Sequence, residues 1–150
     1  MSNASEERFN TYKRRLPHWR QGGSVYFVTY GVLNKLSLEE VGVAAEQVLS
    51  GHREFYWLYG GVVMLDHVHL LLQPLGEYTL SRILKGLKGT TAGAINLLRN
   101  NRGTVFQDES YDRIVRNDAE FDEKLAYMFN NPLKEGLCSD PWEYPGWIAP

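Results

Sequence analysis

Cysteine is almost missing from this 150-residue chain, with Cys138 standing alone. One thiol cannot close an internal disulfide or build a thiolate cluster, so any metal must rest on other donors. The ordinary expectation for such a thiol is a buried or inert one. Long apolar runs are missing too. No stretch approaches the roughly 18 consecutive apolar residues of a membrane span. The start, Met1-Ser2-Asn3-Ala4-Ser5-Glu6-Glu7, has no apolar core of a secretory signal. A soluble, cytoplasmic protein without membrane contact is therefore expected. An excess of one charge is also lacking: 16 basic residues face 18 acidic ones, for a formal charge of −2. That argues against a polycation that coats DNA by bulk attraction. It leaves room for a local basic groove, because a binding footprint depends on where charge sits. No internal repeat or low-complexity tract interrupts the chain. What is present, 43% hydrophobic residues, suits one domain with a single core.

Residues 1–23 read as a basic N-terminal arm, with Arg8, Lys13, Arg14, Arg15 and Arg20 against Glu6 and Glu7, closed by the breaker Gly22-Gly23. Residues 24–150 read as the folded domain. Ser24 to Tyr30 is β-branched and aromatic, a strand. Leu38, Val41, Ala45, Val48 and Leu49 fall at helical spacing, with Glu39 and Glu40 in the first turn where the helix dipole favours them. Phe55–Met64 and His67–Gln73 are two more strands, bulged at Gly60-Gly61 and joined as a hairpin. A helix is predicted over Tyr78–Leu98, weakened by Gly86, Gly89 and Gly93. A short strand follows at Tyr111–Arg116. The last helix runs from Asp118, placed as its cap, to Asn130, with Pro132 as its stop. Strands mixed with helices through short connections favour an antiparallel α+β sandwich.

The most informative segment is Asp66-His67-Val68-His69 within an otherwise apolar strand. Residues two apart in a strand share a face, so the two imidazoles project together while Val68 and Leu70 turn into the core. Two ring nitrogens on one rigid element are what a metal site needs to keep its geometry. The ordinary alternative is a pair of histidines on a solvated face, but burying two imidazoles without partners is costly. In the last helix Tyr127 and Asn131 are four apart and share a face. A phenol with its usual pKa of about 10 is a poor nucleophile. It becomes useful where a cation polarises the phosphate it attacks or a neighbour takes its proton. Against this, a helical Tyr/Phe pair is commonly core.

In chain order, a set of short motifs resembles the REP-associated tyrosine transposases, within the single-tyrosine branch of the His-hydrophobe-His endonucleases. They are Arg15-Leu16-Pro17-His18-Trp19, Tyr26-Phe27-Val28-Thr29, Val63-Met64 through His67-Val68-His69-Leu70-Leu71-Leu72, Leu84-Lys85-Gly86-Leu87-Lys88, Phe106-Gln107 with Tyr111 to Arg116, and Tyr127 through Asn130-Asn131-Pro132 to Leu137. Each is weak alone; the ordered set spans most of residues 14–145. The resemblance implies an α+β, ferredoxin-like palm, a central antiparallel sheet with helices mainly on one face. It implies His67 and His69 as paired metal ligands, Asn131 as a third polar ligand and Tyr127 as the nucleophile. The implied activity is metal-dependent nicking and strand transfer on single-stranded or hairpin DNA of REP type, through a 5′-phosphotyrosine, by a monomer or homodimer. Magnesium or manganese suits the oxygen-rich phosphate chemistry, although two imidazoles also accept zinc or nickel. Leu65 stands where the family usually has proline, so an altered turn with the site retained is expected. Residues 32–36 lack the arginine expected after the first strand.

Residues 79–116 hold seven basic side chains against three acidic ones, a surplus of four in a chain of net −2. Candidate phosphate contacts are Arg14, Arg15, Arg20, Lys85, Lys88, Arg113 and Arg116. Trp19, Tyr26 and Tyr111 are candidates for stacking on unpaired bases. Asp112 has three open roles: orienting a histidine, meeting a base edge, or a hydrogen bond at a strand end. Two other functions stay open at this point. One is a non-catalytic nucleic-acid-binding regulator on the same scaffold. The other is a metal-dependent phosphodiesterase that uses water and leaves Tyr127 idle.

Overall fold

Near-continuous apolar runs build the middle of the central sheet, where Tyr56–Val63 and His67–Pro74 are buried at almost every position. The computed structural model describes residues 3–16 and 23–150. Helix α1 (Asn3–Arg15) leads into β1 (Val25–Val32), α2 (Leu38–Ser50), β2 (Tyr56–Val63), β3 (His67–Pro74), α3 (Leu80–Arg99), β4 (Phe106–Val115), α4 (Asp118–Lys134) and the two-residue β5 (Trp147–Ile148). The sheet order is β4-β1-β3-β2-β5, with every neighbour antiparallel. From β1 to β4 this is the βαββαβ arrangement of a ferredoxin-like fold, so the α+β expectation holds. β2 and β3 form the expected hairpin, with a register shift between Leu58 and Gly60.

Each sheet face has its own helices. Val28 and Tyr30 of β1 pair with Leu70 and Val68 of β3, on the side covered by α2 and α3. There the Tyr56 hydroxyl donates to the Val48 carbonyl and Lys88 lies over the Tyr30 ring. The resemblance implied helices mainly on one face, but α4, with the N-terminal helix docked beside it, covers the other face as well. Glu40 ties α2 to α3: it completes a capping box with Ser37 at the start of α2 and receives Nε and Nη2 of Arg99 from α3 at 2.6 and 3.2 Å. Phe27, Thr29, His69 and Leu71 face the opposite way, where α4 packs. Tyr59 meets Phe121 of α4 edge-on, and a Cβ on Gly60 would stand 2.7 Å from Leu125 Cδ1. The bare backbone at Gly60 lets α4 sit close to the sheet.

Several elements differ from the sequence expectations. Within the stretch read as an arm, residues 3–15 fold as a helix docked on the domain. Phe9 stacks on Phe129 at 4.3 Å, the Tyr12 hydroxyl donates to the Tyr59 carbonyl, and Ser5 donates to Asp140 at 2.8 Å. Strand β4 begins at Phe106, five residues before the expected start. The cap of α4 is Asn117, whose side chain accepts from the Glu120 amide at 2.8 Å, in place of Asp118. Pro132 does not stop α4. It lies buried inside the helix, which ends where Gly136 adopts φ +73°. Packing of Phe129, Asn131 and Pro132 outweighs the one backbone hydrogen bond a proline removes. Among the described residues, no helix is long and apolar enough to cross a membrane.

Candidate active site

The site begins in the register of two adjacent strands. Thr29 of β1 lies opposite His69 of β3, and Gly31 opposite His67. The first pairing puts Thr29 Oγ1 2.8 Å from His69 Nδ1. The second leaves a gap that the Gln107 side-chain amide fills. The two imidazoles project together, ring centroids 4.6 Å apart. His67 Nδ1 is 2.6 Å from the Asp66 carboxylate, which holds the proton on Nδ1 and leaves Nε2 free to donate its lone pair. In the tautomer whose Nδ1–H donates to Thr29, His69 Nε2 carries a free lone pair as well. That atom is buried and has no hydrogen-bond partner.

Burial pushes the His69 imidazole down to about 4, with repulsion from His67 and Lys124 adding to it. A ring kept neutral at physiological pH is the form that binds metal. Phe27 stacks on the same ring at 5.3 Å, and the Lys124 ammonium of α4 lies over the Phe27 ring, 5.1 Å from its centroid.

Helix α4 brings Tyr127 to this point. Phe121, Leu125, Met128 and Phe129 are buried against the sheet, which leaves Tyr127 half-exposed at 47%. Its ring centroid is 5.3 Å from that of His69 and 6.3 Å from that of Phe27. Asn131, one turn further, is buried at 5% exposure with its amide nitrogen unpartnered. Exchange of the amide oxygen and nitrogen by rotation would put an acceptor in the same place. Among the described residues, no three His, Cys, Asp or Glu side chains come together to hold a metal. The side chains that would hold a cation here are the two imidazoles, with the Asn131 amide one turn from Tyr127 on α4. Two orphaned buried polar atoms, His69 Nε2 and Asn131 Nδ2, fit such a group.

The basic candidates are scattered. Arg14 and Arg15 are exposed in the last turn of α1, and Arg116 is exposed just beyond β4. Arg20, like Trp19, lies outside the described residues. Arg113 Nε is bound to Glu120 at 2.7 Å. Lys88 donates to the backbone carbonyls of Gln107, Asp108 and Glu109 at 2.8, 3.1 and 3.4 Å. Lys85 is exposed on the α2–α3 side, away from the histidines. Asp112 pairs with Val28, so its side chain leaves the sheet on the face opposite His69 and cannot orient that ring. Sequence reasoning passed over Thr29, Lys124 and Gln107 as parts of this cluster. Thr29 had a signal, a hydroxyl among apolar strand residues; Lys124 had only its spacing of three from Tyr127.

No family model and no curated protein matches the sequence. Solved structures do. One, described as a REP-associated tyrosine transposase bound to a REP hairpin, superimposes with a TM-score of 0.65 over 88% of this chain and 82% of its own, at 18% identity. The two chains share a fold. A Deinococcus radiodurans protein described provisionally as a transposase aligns over 81% of this chain and 98% of its own at 16% identity. Its TM-score of 0.45 is too low to build on. The shared fold matches the βαββαβ sheet and its helices, and does not by itself assign chemistry to the rings at its centre.

Proposed function

We propose that this protein is a transposase-like enzyme that nicks and rejoins single-stranded DNA through a covalent bond to Tyr127. The observation that carries the reading is the convergence of three rings: His67, His69 and Tyr127 from two separate elements, at centroid distances of 4.6 and 5.3 Å. The fold shared with a hairpin-bound REP-associated tyrosine transposase supports DNA as the substrate and a REP-type hairpin as its form.

In the proposed step the Tyr127 phenol oxygen attacks the scissile phosphorus in line. A Tyr127 O–P bond forms, the P–O3′ bond breaks, and the phenol proton ends on the released 3′-oxygen. The products are a free 3′-OH and a 5′-phosphotyrosine, and attack by a 3′-OH on that link reverses the step. Because the phosphodiester bond is exchanged and not hydrolysed, no nucleotide cofactor is consumed. A magnesium or manganese ion held by His67, His69 and Asn131 would supply charge neutralisation at the phosphate. Asp66 and Thr29 fix the two rings, and the Lys124 ammonium adds positive charge beside them. Half-exposure of Tyr127 leaves the phenol accessible to a strand.

The test is incubation with labelled hairpin-containing single-stranded DNA and Mg²⁺ or Mn²⁺, followed by denaturing electrophoresis. A denaturation-resistant adduct that is lost in Tyr127→Phe is the expected result. An adduct that survives Tyr127→Phe refutes this nucleophile, and nicked product with no adduct at all favours hydrolysis by water.

A further inference from the structure

We propose that the groove between α3 and the edge strand β4 is a pocket for a single unpaired guanine of the bound DNA, on the sheet face opposite Tyr127. The ligand class rests on the strand-transfer reading; the pocket itself uses none of the residues that reading assigns to the chemistry.

Strand β4 is the last in the sheet. Its even-numbered residues Ser110 and Asp112 pair with Tyr30 and Val28, so they project on the side of α2 and α3. Helix α3 does not reach across them. It leaves a groove of about 820 Å³ with Tyr26, Ser110 and Asp112 lining one side and Leu84, Lys85 and Lys88 the other. That volume lies within the range of pockets for small organic ligands, and a nucleoside fits it. The groove is closed by the Lys88 ammonium, which pins the carbonyls of Gln107, Asp108 and Glu109 to α3.

The lining selects a base and then one kind of base. Tyr26 presents a half-buried aromatic ring, a platform on which any base stacks. The Asp112 carboxylate repels phosphate, so the backbone stays at the rim, where Lys85 is exposed. A carboxylate has two adjacent acceptors and no donor. On the Watson–Crick edge only guanine offers two adjacent donors, N1–H and the 2-amino group. Adenine and cytosine set a ring lone pair beside their amino group, and thymine sets a carbonyl on each side of its imino proton. Guanine alone makes the bidentate charge-assisted pair. On the other side of the same strand Tyr111 is 65% exposed opposite Thr29, so a strand leaving Tyr127 can pass it, round the edge and turn one base into the groove. Asp112 is then a specificity residue.

The test measures binding by fluorescence anisotropy in metal-free buffer, where no cleavage occurs. The probes are twelve-nucleotide oligothymidylates carrying one central dG, dA, dC or deoxyinosine. The wild type should bind the dG probe tightest. Deoxyinosine, which lacks only the 2-amino donor, should bind roughly tenfold weaker. Asp112→Asn should erase the dG preference, while Tyr26→Leu weakens every probe by at least about fivefold and Tyr26→Phe does not. An equal dG-to-dA ratio in wild type and Asp112→Asn overturns the pocket, and so does GMP binding as tightly as the dG probe, which would mark a free-nucleotide site. The covalent adduct assay separates the two readings. An adduct formed by Asp112→Asn with no base preference anywhere sinks the pocket alone. A dG preference in a wild type that forms no adduct sinks the strand-transfer chemistry alone.

Discussion

His69 meets two demands that pull in opposite directions. Burial at 6% exposure keeps its ring neutral and fixed between Thr29 and Phe27, yet the same burial leaves Nε2 without a partner. An orphaned polar atom of this kind destabilises a fold unless a ligand satisfies it, which is a reason to read the position as functional. The shift of this ring to about 4 has a consequence for stability. The folded value lies below the roughly 6.5 of an unfolded histidine, so the unfolded chain takes up the proton first as pH falls. Stability from this group is complete above about pH 6.5 and is lost between there and about pH 4, by up to ~3 kcal/mol. Urea unfolding of metal-free protein across this window, wild type against His69→Gln, measures it. A difference between the two that stays constant from pH 7 to pH 4 would contradict the neutral, desolvated ring. That His67 and His69 share a face was legible from the two-residue period alone. The pairing of His69 with Thr29 was not, because it depends on the register between β1 and β3.

Helix α4 is the element that makes the cluster, and its height above the sheet is set at Gly60. A methyl group there would stand 2.7 Å from Leu125 Cδ1, and Leu125 is fully buried. Gly60→Ala should therefore lift α4, cost about 1–3 kcal/mol and move Tyr127 away from His69, so that adduct formation falls more than the loss of folded protein explains. Leu125→Val removes the clashing carbon. The double variant should be more stable than Gly60→Ala alone, a coupling that chemical denaturation can read; simple additivity would show that Gly60 does not set the spacing. Strands β1, β2 and β3 and helix α2 were readable because their apolar patterns are local, whereas the start of β4 at Phe106, in an exposed polar edge strand, was not. The end of α4 was not, since Pro132 reads locally as a stop while its packing partners are distant in sequence. Helix α1 was hidden by its charge. Its inward stripe of Ser5, Phe9 and Tyr12 meets Phe129, Asp140 and Tyr59, all 47 or more residues away. The meeting of Tyr127 with His69 belongs to the same class, spacing permitted it and only the fold brought it about.

At the scale of the whole molecule, the proposed reading asks a chain of net −2 to grip a polyanion. Seven basic residues were candidates from sequence, but the fold has already engaged two of them. Lys88 holds three carbonyls of β4, and Arg113 is paired with Glu120. Among the described residues Arg14, Arg15, Lys85 and Arg116 are left, and they are spread over both sheet faces. Binding to single strands loses about 0.7 in log K per decade of salt for each phosphate neutralised. Four contacts predict a slope of about −3, or about −3.5 if Arg20 joins them, whereas all seven would give about −5. Anisotropy titrations between 50 and 200 mM NaCl separate these values. Removing Lys85 should flatten the slope by about 0.7 without lowering the melting temperature. Removing Lys88 should do the reverse, because its charge is spent on joining β4 to α3. A slope near −5, with Lys88→Ala flattening it and leaving stability unchanged, would mean that the strand reclaims these side chains from the fold.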